Sequence, residues 1–197
     1  MTVLPPARKP RRTDPDRRSR IIDACLDVIA DAGVDGTTHR RVATVADVSL
    51  GSMTYHFAGM DALLLEAFTR FAEGVAEQTE RRLREAGTDG DTHAAVVDVI
   101  LRGIPGIPGI HRDLVLTHEL YTLAARRPEY RVVTQTWMAR IRAALEEHVD
   151  PVTARILDAL IEGLTIHRAL DPEPADDAVV LDAVQRILGT PDEKRAR

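Results

Sequence analysis

VSLGSMTYHF, residues 48–57, lies in a chain of helical pattern but is poorly suited to a stable helix by composition. Gly51, Ser49, Ser52 and Thr54 all have low helix propensity, and Tyr55, His56 and Phe57 stand side by side at the end. Wound at 3.6 residues per turn, the stretch puts Val48, Met53 and Phe57 toward a core. Leu50, Gly51, Ser52, Thr54, Tyr55 and His56 are left on the outer surfaces, with Ser49 placed to cap the N-terminus. Small residues at the front permit close approach of a partner, and hydroxyls and an imidazole supply hydrogen bonds. The ten residues by themselves fit two readings equally: a rod shaped to lie against something outside the protein, and a short packing helix with its polar side in water.

The flanks set the context. Upstream, Ile21, Cys25, Val28, Ile29 and Ala32 mark one face of a first helix that Gly33 closes. Thr38 is a good N-cap for a second, short helix, with Val42, Val45 and Ala46 as its expected inner face. Asp47 separates that helix from the quoted stretch. Two short helices joined by a tight turn, the second capped by serine, have the layout of a helix-turn-helix, whose second helix enters a DNA major groove. Downstream, Leu64, Leu65, Phe68, Phe71 and Val75 form the stripe of a longer helix from about Asp61 to Ala86.

Beyond the breaker GTDGD, residues 91–103 carry Val96, Val99 and Ile100 on one side. GIPGIPG (103–109) is a turn-rich connector. A helix over HRDLVLTHELYTLAARR follows, then one opened by Pro128 with Tyr130, Val133, Trp137, Ile141 and Leu145 in register. Asp150-Pro151 opens another, striped by Ile156, Leu160 and Leu164; a last helix of Val180, Val184 and Ile187 ends at Gly189. The expectation is an all-α chain of about nine helices. It divides into a basic, disordered arm at 1–14, a three-helix head at 15–60, a larger helical half at 61–190 and a flexible tail at 191–197.

Composition narrows the class. The net charge of −5 hides an asymmetry: residues 1–20 hold seven Arg and Lys against two Asp, and the remainder is strongly acidic. A basic arm on an acidic body suits a protein of which one end approaches a polyanion. The single cysteine excludes an internal disulfide framework and a cysteine zinc cluster, which fits a reducing interior. No apolar run reaches membrane-spanning length and the N-terminal residues have no signal-peptide core, so a cytoplasmic location is expected.

TTHRRVATVADVSLGSMTYHFAGMDALLLEAF resembles the N-terminal DNA-binding segment of the tetracycline-repressor (TetR) family of bacterial regulators. The likeness begins in IIDACLDVIADAG and covers roughly residues 17–68, with the run Val48-Ser49-x-Gly51-Ser52-x-x-x-His56-Phe57 in ungapped register. It implies an all-helical homodimer with an N-terminal reading head and a larger C-terminal half that binds a small molecule. It further implies operator DNA as partner, a default role as repressor, and release by an effector. Three positions depart from the family pattern: Asp47 where glycine is usual, Thr54 where an aromatic is common, and Met60 where a lysine often lies near the DNA backbone.

Carried onto this chain, the DNA-binding candidates are Thr38, Arg40, Arg41, Ser49, Leu50, Gly51, Ser52, Thr54, Tyr55 and His56. Leu50, Ser52 and Thr54 suit base edges; Tyr55 and His56 suit backbone. Arg8, Lys9, Arg11, Arg12, Arg17, Arg18 and Arg20 are expected to add nonspecific affinity. In the second half, His118, Glu119, Tyr121, Trp137 and His167 are polar or aromatic groups on apolar segments, the mix of a ligand pocket, with Arg102 and His111 as its rim. Ile156, Leu160, Gly163, Leu164, Val180, Val184 and Ile187 are the expected dimer interface. No cofactor or metal is expected. A helical enzyme is the rival class, but no His-Glu-x-x-His run is present, Gly51-Ser52 lacks the flanks of a nucleophile elbow, and Cys25 falls on a buried face. A protein-interaction module without a DNA role is the second rival, permitted by the terminal helices.

Overall fold

The computed structural model describes residues 16–87, 96–97, 110–173 and 176–189. Eight helices are found among them, and no strand. They are α1 (Arg17–Ala32), α2 (His39–Val45), α3 (Leu50–His56), α4 (Met60–Gly87), α5 (Ile110–Arg126), α6 (Pro128–Glu146), α7 (Pro151–Leu170) and α8 (Asp177–Leu188). Val96 and Val97 are helical and buried. The rest of the helix expected over 91–103, the connector 103–109, the basic arm and the tail lie outside the described residues.

Local chemistry explains most helix ends. Gly33 closes α1 at φ +69°, its N–H donating to the Ile29 carbonyl. Thr38 caps α2 by accepting from the Arg41 N–H, and Ser49 caps α3 by accepting from the Ser52 N–H, both at 3.3 Å. Pro128 opens α6. Asp150 accepts from the N–H groups of Val152 and Thr153 at the start of α7. Gly189 at φ +76° ends α8.

Two hydrophobic cores run through the bundle. The first joins the head to the elements below it: Ile21, Cys25, Ile29, Val42, Met53 and Phe57 share one cluster with Leu63 and Phe68 of α4, Leu116 and Leu120 of α5, and Tyr130 of α6. The second gathers Ala76 and Leu83 of α4 with Ile141 and Leu145 of α6, Leu157 of α7, and Val180, Val184 and Leu188 of α8. Trp137 packs against both. Core packing therefore crosses the expected head boundary near residue 60.

Three expectations are corrected. Val45 is not an inner-face residue but stands 54 % exposed, and Ala43 takes the buried place on α2. Val180 and Val184 are fully buried inside their own subunit, where they fill the second core and cannot meet another copy. Glu119 turns toward the end of α1: its carboxylate lies 2.7 Å from where a β-carbon on Gly33 would stand. Arg18 pairs with Glu66 on α4 and lies over the Phe57 ring at 5.0 Å from its centroid, with its side chain still 50 % exposed.

Candidate functional site

The turn before α3 sets its angle. Asp47 adopts φ +52°, the left-handed region that aspartate tolerates better than most residues. The Val48 N–H then returns to the Ala43 carbonyl at 3.0 Å. Met53 and Phe57 anchor α3 in the first core, with Val48 at its edge. The opposite side faces outward: Tyr55 is 83 % exposed and Leu50 55 %, with Ser49, Gly51 and Thr54 also exposed and Ser52 and His56 partly so. Thr54, Tyr55 and His56 are thus not hidden in the subunit. Tyr55 stands edge-on to His56, centroids 5.0 Å apart. A β-carbon at Gly51 would meet only the Ser49 hydroxyl, at 3.9 Å. The fold itself sets no steric demand for glycine there.

The hydroxyls are partly occupied locally. Thr54 donates to the Gly51 carbonyl at 3.2 Å, and Ser49 and Ser52 share a hydrogen bond at 3.1 Å. On α2 the two candidate arginines differ. Arg41 is held by the Asp31 carboxylate at 2.9 Å and the Gly36 carbonyl at 3.2 Å, which ties α2 to the end of α1. Arg40 is exposed beside the exposed cap residue Thr38.

A second cluster lies where α5, α6 and α7 meet. Tyr121 and Trp137 stack nearly parallel, with planes 16° apart and centroids 5.9 Å apart, and Phe71 approaches the indole edge-on. The Tyr121 hydroxyl donates to Glu162 Oε2 at 2.9 Å. His118 shares a 2.7 Å hydrogen bond with the Leu114 carbonyl. One turn before Glu162, Asp158 accepts from Arg142 at 3.2 Å. Burial raises the carboxyl pKa of both Glu162 and Asp158 above the ordinary range, and raises that of the Tyr121 phenol, to which the charge of Glu162 adds. Tyr121 and Trp137 therefore stack together with Glu162 in hydrogen-bond reach of the phenol, whereas His111 and His167 are exposed. Arg102 lies outside the described residues. Glu162 escaped the sequence reading, although Asp158 and Glu162, four apart on an otherwise apolar helix, were the available signal.

Two family profiles match the chain. "Bacterial regulatory proteins, tetR family" covers residues 21–67, and "Tetracyclin repressor-like, C-terminal domain" covers residues 91–190, about half of the sequence. The chain belongs to the TetR family. SCO7518 of Streptomyces coelicolor A3(2) has a solved structure 50 % identical to this TetR-family regulator, with a TM-score of 0.81, covering 89 % of this chain and all of that one. The multidrug binding protein EbrR in complex with imidazole is 36 % identical at a TM-score of 0.71, covering 90 % of this chain and 98 % of its own. EbrR is also solved with ethidium, proflavin and malachite green. The HTH-type transcriptional regulator BetI 1 of Chromohalobacter salexigens is 26 % identical over 171 residues, 82 % of this chain and 83 % of that protein.

Two departures from the TetR pattern have a physical account. Asp47 takes the left-handed turn conformation without glycine. Met60, at the usual lysine position, packs against the first core, so an apolar contact replaces a charge there. Cys25 is fully buried and its thiol is pushed up to about 12 by that burial, which leaves it unreactive. Among the described residues no helix is long and apolar enough to cross a membrane, and no group of three or more His, Cys, Asp or Glu is placed to hold a metal ion.

Proposed function

We propose that this regulator is a cytoplasmic repressor that binds a palindromic operator as a homodimer and leaves it when a small-molecule effector binds. The observation that carries the reading is the outward face of α3, where Leu50, Gly51, Thr54 and Tyr55 stand exposed on a helix anchored by Met53 and Phe57. A leucine and a highly exposed tyrosine beside an unneeded glycine suit a groove-reading surface better than a solvated one.

Dimerisation is supported by α7. Val152, Ile156, Ala159, Gly163 and Leu170 fall on one stripe of that helix at 3.6-residue spacing. Val152 is 68 % and Leu170 63 % exposed, and a β-carbon at Gly163 would meet nothing within its own subunit. An exposed apolar and small-residue stripe of this kind suits an isologous helix-to-helix contact. Leu160, Leu164 and Ile187 are partly buried against the second core and border it. The effector half of the reading is supported by the Tyr121, Trp137 and Glu162 cluster and by the small organic molecules bound by EbrR.

Footprinting on the DNA that flanks its own gene, with and without cell extract, tests the reading. The expected result is two protected half-sites about 34–36 Å apart, lost on adding an extract that contains the effector. Absence of protection, or a single unpaired half-site, overturns it.

A further inference from the structure

We infer that Arg18 is a positioning residue for DNA reading: its guanidinium, held by Glu66 of α4, seats the Phe57 ring that ends α3 and thereby sets the angle at which α3 meets a groove. The inference rests on the operator-binding reading above and names a residue that serves it without touching DNA.

α3 has seven residues, too few to hold a helix or a direction unaided. Its seat in the first core comes from Met53 and Phe57, with Val48 at the edge. Met53 lies mid-helix, so Phe57, the C-cap where the chain turns to extended backbone, fixes the far end. The Phe57 ring is 5 % exposed, and the Arg18 guanidinium lies over it. Both carboxylate oxygens of Glu66 accept from the two terminal nitrogens of that guanidinium. One side chain therefore joins α1, the end of α3 and α4. A planar fork pairs with a carboxylate through two nitrogens while it covers a ring, which a lysine ammonium cannot reproduce.

Other ties across the same seam confine the effect to α3. Arg70 of α4 donates to the Ser19 hydroxyl at 2.7 Å and pairs with Asp23 at 3.2 Å, so α1 stays seated on α4 when Arg18 or Glu66 is changed. What is lost is the cover on Phe57. From there contact runs outward: the His56 ring lies 6.4 Å from Phe57 and the Tyr55 ring 5.0 Å from His56, centroid to centroid. A shift at the anchor is carried to the side chains offered to DNA, and a binding constellation tolerates only about 0.5 Å or 10–20° of it. The rival role is direct, since Arg18 is half-exposed and carries the charge of a phosphate contact. The two roles differ in sign. A phosphate contact is restrained by Glu66 and gains when that carboxylate is neutralised, whereas a positioning residue loses its support.

Full-length Glu66→Gln and Arg18→Met are compared with wild type on the footprinted operator and on an unrelated duplex of equal length. Titrations run across salt concentrations, well below each protein's melting temperature; Glu66→Gln is nearly isosteric and keeps a folded variant in the test. Operator affinity is expected to fall by about tenfold in both variants, about threefold per head, the scale of one exposed ion pair or cation–π contact. Affinity for the unrelated duplex does not fall in Glu66→Gln and stays within about threefold in Arg18→Met, whose salt slope on the operator stays within about 0.5 of wild type. Glu66→Gln that binds operator as tightly as wild type or more tightly, a slope flattened by about 1.8 in Arg18→Met, or equal losses on both duplexes overturns the inference. Wild type that prefers no duplex over another rejects the regulator reading itself; a wild-type preference that both variants keep rejects only the role of Arg18.

Discussion

Gly36 passes so close over the end of α1 that a β-carbon on it would stand 2.4 Å from the carbonyl oxygen of Ala32. Both are backbone-fixed, so neither can swing aside, and Thr37 locks the same turn by donating to the Gly33 carbonyl at 2.8 Å. Gly36→Ala is expected to lower stability by about 1–3 kcal/mol, the usual cost of overpacking. Gly51→Ala should do the reverse. The added methyl has room, and alanine gains roughly 0.5–1 kcal/mol of helix propensity over glycine, less than the full value so near the end of a short helix. Operator affinity should nevertheless fall, because the methyl occupies the face offered to DNA. Thermal melts beside operator titrations check both; a Gly51→Ala protein that binds operator normally places the groove contact elsewhere.

Arg40 and Arg41 adjoin in sequence and differ in engagement. Arg41 is tied to Asp31 and to the Gly36 carbonyl, and its exposed ion pair contributes at most about 1 kcal/mol. Arg41→Ala should lower the melting temperature slightly. Arg40→Ala should leave stability unchanged and flatten the slope of log affinity against log salt by about 1.8 for the bound dimer, one phosphate contact per subunit. Operator titrations across salt concentrations separate the two; an unchanged slope for Arg40→Ala makes that arginine a solvated charge.

What is legible in the amino-acid sequence divides along the same line of reach. Thr38 and Ser49 were legible as caps because the interaction spans three residues and depends on residue type. Asp47 was legible as a tolerated turn residue for a like reason. The ion pair of Arg18 was not, because its partner, Glu66, lies 48 residues away. Val45 was misplaced because a seven-residue helix holds too few apolar positions to fix its inner face. Val180 and Val184 were assigned to a partner copy because apolar periodicity records that a face is covered, not which chain covers it. Glu162 was missed because it gains meaning only from Tyr121, on another helix.

Ile156 and Val184 test that distinction between self and partner. Ile156 is 49 % exposed on the α7 stripe, and Val184 is fully buried in the second core. Ile156→Glu should shift the protein toward monomer in sedimentation with little change in the melt of the subunit. Val184→Ala should keep the dimer and cost roughly 1–3 kcal/mol, from lost burial and the cavity left behind. A dimer unaffected by Ile156→Glu moves the interface away from α7.

Tyr130 is fully buried, stacked edge-on to Phe68, with Arg127 over its ring. Its hydroxyl finds no hydrogen-bond partner among the described residues. A buried unsatisfied hydroxyl costs about 1–3 kcal/mol, while the ring keeps its contacts when the oxygen is removed. Tyr130→Phe is therefore expected to be neutral or stabilising in a denaturant titration, in contrast to most core substitutions. A clear loss of stability means the hydroxyl is satisfied in solution.

Glu162 gives the pH dependence its sign. Burial, the largest cause, raises its folded-state pKa above the value in the unfolded chain, so the folded state holds this proton more tightly. The stability it contributes is present below the unfolded carboxylate range and is lost as pH rises through the elevated folded value. Above the unfolded carboxylate range the wild-type fold therefore bears a cost, either holding the proton or ionising a half-buried carboxylate, that Glu162→Gln does not bear, while the amide oxygen still accepts from Tyr121. The variant should melt above wild type near about pH 7, and the difference should shrink toward zero as pH falls to about 4. Melts of both proteins across that pH range check this. A difference that is constant with pH, or of opposite sign, means that Glu162 is already neutralised within the subunit.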